Sequence, residues 1–216
     1  MITAERYVEG QATEKIRRIY DRGAWWYDFR EWLPERLAFR RWRRELWSLV
    51  PDGAVLEVGV GTGKNFPYYR EGHQITAIDF SPKMLRRAET LAERERLPVA
   101  LKLMDTQALE FEDGSLDSAV STFVFCSVPD PVLGLQEVRR VLKPGGHAYL
   151  LEHVLSQKGL LRWLMRRVNG ISRAMNGANI DRDTVGNVER AGLRVVEVRS
   201  LWLDVVKLIV AEKVAT

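Results

Sequence analysis

The sequence predicts an α/β protein built on a mostly parallel sheet that helices cover on both faces. From residue 54 onwards, short apolar segments alternate with longer segments of helical periodicity. This alternation is typical of parallel strands, because each crossover returns the chain to the same edge of the sheet. Glycine recurs at positions 59, 61 and 63, directly after the first apolar segment, which indicates a tight turn that follows a buried strand.

The first 50 residues predict a pair of helices that precede the sheet. Apolar and aromatic residues recur at helical spacing on both sides of Pro34. They are Ile16, Ile19, Tyr20, Gly23, Trp26 and Tyr27, and then Phe39, Trp42, Leu46 and Leu49. Five of the seven tryptophans lie in this region. We therefore expect residues 1–50 to form a helical lid over a ligand site and residues 51–216 to form the main domain.

Seven strands and the helices between them follow in order. The predicted strands cover 54–58, 74–78, 99–103, 117–123, 147–153, 194–199 and 205–212. Helices are expected in the gaps. Ser81-Pro82 and Asp130-Pro131 each predict a helix start, because an oxygen-bearing cap followed by proline suits the first turn. Pro144 to Gly146 predicts a helix stop, and a last short helix near 183–191 ends at Gly192.

Composition restricts the class of protein. A chain of 216 residues fits one domain. The single Cys126 excludes an internal disulfide, and three histidines form no zinc-spaced cluster, so a reducing compartment and no metal site are expected. No signal peptide or spanning helix is predicted. The net charge is +4, and the positive charge is local: residues 154–180 contain five basic residues and no acidic ones.

The glycine turn, VLEVGVGTGK, fits neither of two common phosphate-binding motifs. A P-loop would need glycine at Val58 and a hydroxyl residue at Asn65. A dinucleotide fingerprint that begins at Gly59 would need a small residue where the chain has Lys64. The pattern that remains, Glu57 to Gly63 as Glu-x-Gly-x-Gly-x-Gly, exposes backbone that a ligand can approach closely.

Acidic residues follow three successive predicted strands. Glu57 ends the first, Asp79 ends the second at 20 residues after Gly59, and Asp105 follows the third between Met104 and Thr106. In an open α/β sheet these strand ends lie along one crevice. A carboxylate at the second strand end suits a ribose diol, and one at the third could accept a hydrogen bond from an adenine amino group.

Four segments resemble motifs of the class I S-adenosylmethionine-dependent methyltransferases. They are VLEVGVGTG, ITAIDFSPKML, LMDTQALEFEDGSLDSAVSTFVFCSVPDP and EVRRVLKPGGHAYLLEH. More narrowly they resemble a small-molecule group of quinone C-methyltransferases, phosphatidylethanolamine N-methyltransferases and microsomal thiol S-methyltransferases. The resemblance implies a Rossmann-like, doubly wound sheet of seven strands whose last strand is antiparallel.

The resemblance also implies S-adenosylmethionine as the cofactor and assigns residues to it. It places Glu57 near the methionine amino group, Asp79 on the ribose and Asp105 on the adenine. Thr122 and Phe123, past the fourth strand, would border the sulfonium. The full predicted cofactor set is Glu57, Gly59, Val60, Gly61, Thr62, Gly63, Asp79, Phe80, Met104, Asp105, Thr106, Thr122 and Phe123.

The acceptor side is predicted from the end of the fifth strand, LLEHV. Amines and thiols are mostly protonated at neutral pH, so a nearby carboxylate or imidazole would help the attack. Glu152 and His153 are the candidates, with His153 first and with structural roles as the alternative for both. Asn179 resembles a substrate-facing position, or it is simply a turn residue. Cys126 is expected to be a small wall residue and not a nucleophile.

The basic residues are interleaved with apolar ones, which suits anionic lipid better than nucleic acid. In residues 158–175, Leu160, Leu161, Leu164, Met165 and Val168 share one helical face, with Arg162, Arg166 and Arg173 at its flanks. We expect a lipophilic acceptor, the amine of phosphatidylethanolamine ahead of a thiol or quinone, with a non-enzymatic S-adenosylmethionine-binding regulator as the rival. A cytoplasmic protein is expected, peripheral on the inner face of the membrane and monomeric or weakly oligomeric.

Replacement of Asp79 by alanine should weaken S-adenosylhomocysteine binding by about 1.5–3 kcal/mol, since charge-assisted hydrogen bonds to the ribose would be lost. Isothermal titration calorimetry on wild type and Asp79→Ala measures the difference, and NAD should bind to neither. Equal affinities in the two proteins would remove Asp79 from the site.

Overall fold

The computed structural model describes residues 13–23, 35–176 and 179–215 and forms one seven-stranded sheet. The strands are β1 (Gly53–Val58), β2 (His73–Asp79), β3 (Val99–Leu103), β4 (Leu116–Thr122), β5 (Leu142–His153), β6 (Arg194–Trp202) and β7 (Val206–Glu212). Their order is β3-β2-β1-β4-β5-β7-β6. β1 to β5 pair in parallel, whereas β7 runs antiparallel to both β5 and β6. The predicted fold, including its antiparallel last strand, is confirmed.

Six α-helices accompany the sheet in the described parts of the chain. They are α1 (13–23), α2 (Arg40–Ser48), α3 (Pro82–Glu95), α4 (Pro131–Val141), α5 (Gly159–Asn176) and α6 (Thr184–Arg190). The predicted caps are present. Ser81 Oγ accepts a hydrogen bond from the Met84 amide, and the Asp130 carboxylate accepts two from the amides of Val132 and Leu133. Within these residues no helix has the length and apolar character needed to cross a membrane.

The expectation of a helix in every gap is wrong at two places. Between β1 and β2 the chain makes turns and a short 3₁₀ helix, Phe66–Tyr68. Between β3 and β4 it forms a loop without a helix, where Asp113, Gly114 and Ser115 provide turn chemistry. β5 also begins earlier than predicted, at Leu142, because Gly145 adopts a φ of +77° that lets the Pro-Gly-Gly segment continue into the strand.

The N-terminal helices contribute to both the crevice and the core. α1 carries the predicted residues from Ile16 to Gly23, and a π-helical turn, Glu35–Phe39, leads into α2. Leu46 and Trp47 of α2 are fully buried. Trp25, Trp26, Tyr27 and Trp32, on which the predicted lid also depended, lie outside the described residues.

Each face of the sheet has its own hydrophobic core, because side chains alternate along the strands. One core contains Leu135 of α4 and Val188 of α6, and the other contains Trp47 of α2 and Leu85 of α3. Met165 of α5 joins the second core. The helices thus cover both faces, and the carboxyl edge of the parallel strands stays accessible to a ligand.

Replacement of Trp47 by alanine should lower the free energy of unfolding by about 3–5 kcal/mol, because a large buried ring leaves a cavity. Trp163, 55% exposed on α5, is the matched control, and Trp163→Ala should change stability by less than about 0.5 kcal/mol. Urea denaturation followed by circular dichroism compares the two. An equal small effect for both variants would show that α2 is not part of the core.

Candidate functional site

A crevice opens at the carboxyl edge of the sheet, next to the point where the strand order reverses between β1 and β4. It encloses about 680 Å³, part of it open to solvent. Its lining includes Thr13, Tyr20, Gly59, Gly61, Asp79, Phe80, Met104, Asp105, Thr106, Thr122, Phe123 and Ser127. Most of the predicted cofactor residues therefore lie around one space large enough for a nucleoside.

The glycine turn after β1 requires bare backbone. Gly59 has a φ of +67°, and a Cβ there would lie 2.5 Å from Val124 Cγ2. Gly63 has a φ of +85°, and its Cβ would lie 2.6 Å from the Phe66 ring. Both the conformation and the crowding exclude a side chain at these two positions. Gly59 contributes bare backbone to the wall of the crevice. Four of the predicted cofactor residues are not part of its lining, namely Glu57, Val60, Thr62 and Gly63.

Asp79, at the end of β2, connects the glycine turn to the start of α3. Its Oδ2 accepts a hydrogen bond from the Gly61 amide at 2.8 Å, and its Oδ1 accepts one from the Ser81 amide at 2.8 Å. Burial raises the pKa of Asp79 to about 6, and these amides counteract that shift. Each carboxylate oxygen keeps a second lone pair, so the side chain can still accept hydrogen bonds from a ribose diol.

Asp105, past β3, lies at the other end of the crevice. Its Oδ1 accepts a hydrogen bond from the Gln107 amide at 2.9 Å, and its Oδ2 accepts one from Thr13 Oγ1 at 3.3 Å. The neighbouring Thr106 is buried, and its Oγ1 has no hydrogen-bond partner among the described residues. Polar groups therefore converge at this end of the crevice, at the position predicted for the adenine.

Helix α1 closes this end of the crevice. The Tyr20 hydroxyl lies 2.6 Å from Ser127 Oγ, and the Tyr20 ring makes an edge contact with Phe80 at 5.8 Å between centroids. Asp21 Oδ1 accepts a hydrogen bond from Ser81 Oγ at 2.6 Å. The contacts of Thr13, Tyr20 and Asp21 were not predicted from the sequence, because they join elements 60 or more residues apart.

Glu57 is buried beneath the glycine turn. Its carboxylate accepts hydrogen bonds from Asn65 Nδ2, at 2.7 Å, and from the Tyr69 hydroxyl. Burial raises the pKa of Glu57 to about 7 despite these bonds. A cationic amino group nearby would stabilise the ionised form, which fits the predicted position next to the methionine ammonium.

Arg43 of α2 contacts the residues next to the crevice and was not singled out from the sequence. It is buried, and its NH1 donates to Thr122 Oγ1 at 2.6 Å and to Asn65 Oδ1 at 2.9 Å. Its Nε pairs with Glu35 at 3.3 Å. Helical spacing could have predicted that Arg43 points inwards, because Arg43 lies on the same side of α2 as Leu46, which faces the core.

An aromatic row lies beside the crevice past β4 and β5. The ring of Phe123 makes tilted contacts with the rings of Phe39 and His153, at 4.7 and 4.6 Å between centroids. Phe123 has a φ of +59°, a strained conformation that presents its ring to the crevice. Burial lowers the pKa of His153 to about 4, so its imidazole is neutral at pH 7.

Glu152 lies fully buried in the structure instead of at the crevice mouth, where it was expected. Its Oε1 accepts hydrogen bonds from Ser121 Oγ at 2.5 Å and from the amides of Val124 and Phe125 at 3.0 and 3.2 Å. The alternating pleat of β5 places His153 and Glu152 on opposite faces. Glu152 therefore holds the loop after β4, and burial raises its pKa to about 7.

Cys126 and Asn179 lie next to this loop. Burial raises the pKa of the Cys126 thiol to about 12, which leaves it protonated and poorly nucleophilic. The Asn179 amide donates to the Cys126 carbonyl at 2.8 Å, so the segment before α6 is anchored at the acceptor side. Across residues 13–23, 35–176 and 179–215, no group of three His, Cys, Asp or Glu side chains could hold a metal ion.

The fold and the crevice define a nucleoside-binding α/β enzyme, and comparison with known proteins identifies its family. Residues 56–150 match the family described as "Methyltransferase domain". The chain is 33% identical to thiol S-methyltransferase TMT1B of Rattus norvegicus over 167 residues, which cover 72% of this chain and 68% of that protein. It is 41% identical to phosphatidylethanolamine N-methyltransferase of Cereibacter sphaeroides over 111 residues, 50% and 55% of the two chains. Demethylmenaquinone methyltransferase of Renibacterium salmoninarum is 37% identical over 117 residues, which cover 52% of this chain and 48% of that protein.

Solved structures agree on the fold. A SAM-dependent methyltransferase from Thermotoga maritima superposes with a TM-score of 0.69 and 24% identity, over 91% of this chain and 99% of that one. Geranyl diphosphate C-methyltransferase from Streptomyces coelicolor, solved with S-adenosyl-L-homocysteine, superposes with a TM-score of 0.63 and 16% identity, over 76% of this chain and 73% of that one. This protein belongs to the S-adenosylmethionine-dependent methyltransferases and is an enzyme of that family. Its cofactor is S-adenosylmethionine, and the bare glycine turn and Asp79 fit that cofactor.

Replacement of Glu152 by alanine should lower the free energy of unfolding by about 2–4 kcal/mol, because three buried donors lose their acceptor. Glu152→Gln keeps an acceptor oxygen and should retain most of the stability and methyl-transfer activity. Chemical denaturation and initial rates measure both. A stable Glu152→Gln variant without activity would show that the carboxyl group takes part in the chemistry.

Proposed function

We propose that this enzyme methylates a small lipophilic acceptor at a thiol sulfur. The observation that carries the proposal is the aromatic row of Phe39, Phe123 and His153, whose only titratable member is a neutral imidazole of low pKa. Such a wall suits an apolar substrate and offers no strong base. An acceptor that ionises unaided near neutral pH is therefore favoured.

The carboxyl groups near this wall already take part in structural contacts, and of their buried oxygen atoms only Oε2 of Glu152 lacks a hydrogen-bond partner among the described residues. Glu35 pairs with Arg43, Glu57 accepts hydrogen bonds from Asn65 and Tyr69, and Glu152 holds the loop after β4. At pH 7 a few per cent of a thiol of ordinary pKa is present as the nucleophilic thiolate. The pKa of an alkylamine lies about three units above this pH, so nearly all of the amine is protonated and cannot attack. The thiol thus requires less help from the protein.

When bound, S-adenosylmethionine supplies an electrophilic methyl group on a sulfonium. The role of this chain is then to align the acceptor sulfur with that methyl and to exclude water, which can contribute about 7–11 kcal/mol. Phe123, held in its strained conformation by the bond from its amide to the Leu151 carbonyl at 2.8 Å, shapes the acceptor side. His153 orients the sulfur as a hydrogen-bonding neighbour and is not required to remove its proton.

The amine of phosphatidylethanolamine is the second candidate. It is supported by the 41% identity to the Cereibacter sphaeroides enzyme over a segment of 111 residues. A lipid amine would need a route for its proton, and His153 is the first residue to test for that role. Two other functions remain as alternatives: methylation of a quinone precursor, and binding of S-adenosylmethionine for regulation without methyl transfer. Analysis of the reaction products distinguishes both from thiol methylation.

Two further expectations enter as part of this proposal. Residues 1–50 act as a lid over the acceptor, for which the contacts of Tyr20 with Ser127 and of Phe39 with Phe123 provide support. The enzyme acts in the cytoplasm on acceptors that partition into the membrane, and it does not act on nucleic acid.

A panel of alkyl and aryl thiols, phosphatidylethanolamine vesicles and demethylmenaquinone, offered with labelled cofactor, tests the function through the masses of the products. We expect methyl thioethers. Methylated lipid without thioether would overturn the ranking, and cofactor binding without any product would favour the regulator.

For a thiol acceptor, kcat/KM should rise about tenfold per pH unit from pH 6.5 to 8, in step with the thiolate fraction. His153 stays neutral across this range, because burial holds its pKa near 4. His153→Ala should therefore reduce the rate without changing the slope. A wild-type rate that is already flat by pH 7 would show that a protein group removes the proton. Phe39→Leu, a change in the same wall without a titratable group, serves as the control.

A further inference from the structure

We propose that the outer face of α5 and the turn between β6 and β7 form a surface that docks on an anionic lipid bilayer. This docking surface consists of Leu160, Trp163, Leu164, Arg166, Arg167, Val168, Trp202 and Leu203. The proposal rests on the proposed function for its purpose, delivery of a lipophilic acceptor. The binding itself is measured without any methyl transfer.

Helix α5 buries only a narrow part of its apolar side. Met165 is buried and Leu161 is half-buried, and both pack against the core beneath the sheet. Leu160 is 82% exposed, Trp163 55% and Leu164 48%. Helical spacing predicted one shared apolar face for these leucines and Met165. In the structure, Leu161 and Met165 turn towards the core, whereas Leu160 and Leu164 point outwards.

The turn between β6 and β7 carries further exposed apolar residues. Trp202 and Leu203 are each more than half exposed. The turn is fastened to the segment that leads into α5, because Asp204 accepts hydrogen bonds from Ser156 Oγ at 2.7 Å and from the Gln157 amide at 2.8 Å. Two tryptophans and their leucine neighbours are thus presented from two rigidly connected elements.

Positive charge accompanies the apolar residues. Arg166 and Arg167 are exposed, and the Arg167 guanidinium lies 5.2 Å from the centroid of the Trp163 ring. Residues 154–180 contain no acidic side chain. Exposed tryptophan next to arginine is the composition that settles at the interface of an anionic membrane, where the ring enters the headgroup layer and the cation stays at its surface.

The docking surface lies at the same edge of the sheet as the acceptor side. His153 ends β5 opposite Val206, the first residue of β7, and the Val154 amide donates to the Val205 carbonyl at 2.9 Å. Leu161 of α5 packs against the same core as Phe123. A molecule dissolved in the bilayer would therefore have a short path to the aromatic row.

Charge favours a bilayer over a second copy of the chain as the occupant. A two-fold contact through this face would bring two surfaces that each carry Arg166 and Arg167 together, so that like charges would be buried in one interface. Anionic lipid headgroups would neutralise the same charges. A second copy is thus an alternative that the experiment can detect.

The test is sedimentation with vesicles of phosphatidylcholine alone and with phosphatidylglycerol added, at low salt. Wild type should bind the anionic vesicles more tightly. Trp163→Ser with Leu164→Ser should weaken that binding by at least about 30-fold, from the lost apolar immersion. Arg166→Gln with Arg167→Gln should weaken it by about 30-fold, because each arginine near the surface contributes about 1 kcal/mol, or about fivefold.

Matched controls use residues of the same types elsewhere on the surface. Val214→Ser alters an exposed apolar side chain past β7, at the opposite end of the sheet from His153, and Arg86→Gln with Arg94→Gln removes two exposed charges from α3. Both controls should bind vesicles as wild type does, and all variants should bind S-adenosylhomocysteine normally, which verifies folding. Unchanged binding of the α5 variants, or an equal loss in the controls, would overturn the proposal. A wild-type dimer that the α5 variants convert to monomer would overturn it in favour of a second copy.

Discussion

Three buried carboxyl groups at the carboxyl edge of the sheet organise the loops that form the crevice. Glu57 after β1 binds Asn65 and Tyr69, Asp79 after β2 binds the amides of Gly61 and Ser81, and Glu152 of β5 binds the loop after β4. Burial raises the pKa of all three. A buried acceptor left without donors is costly, so the hydrogen bonds to Glu57, to Asp79 and to Oε1 of Glu152 hold these loops in place, whereas Oε2 of Glu152 has no partner among the described residues.

The same arrangement explains why the site is suited to alignment more than to acid–base chemistry. Its carboxyl groups are occupied in shaping loops, and the remaining imidazole, His153, is packed against Phe123 and kept neutral. A sulfonium methyl donor already carries a good leaving group, so the reaction depends chiefly on geometry. A rigid crevice with an apolar acceptor wall provides that geometry without a strong base.

Arg43 shows how the N-terminal segment becomes part of the site. It reaches from α2 to Thr122 and Asn65, and thereby links the helix to the ends of β1 and β4. Its buried charge is balanced by Glu35 and by hydrogen-bond acceptors from the sheet edge. α2 is consequently supported from two sides, by Trp47 in the core and by Arg43 at the crevice.

The sequence by itself determined the seven strands in their order along the chain, the glycine turn and the acids at successive strand ends, because these depend on local periodicity and on residues close together in the chain. Only the tertiary structure decided which charged residues turn inwards. Arg43 was not singled out from the sequence, and Glu152 was expected on the acceptor side because it lies near the end of β5. The pairings that bury them join residues 79 and 31 positions apart, to Thr122 and Ser121. Contacts at such separations follow from how helices and strands pack on one another, and no local pattern specifies them.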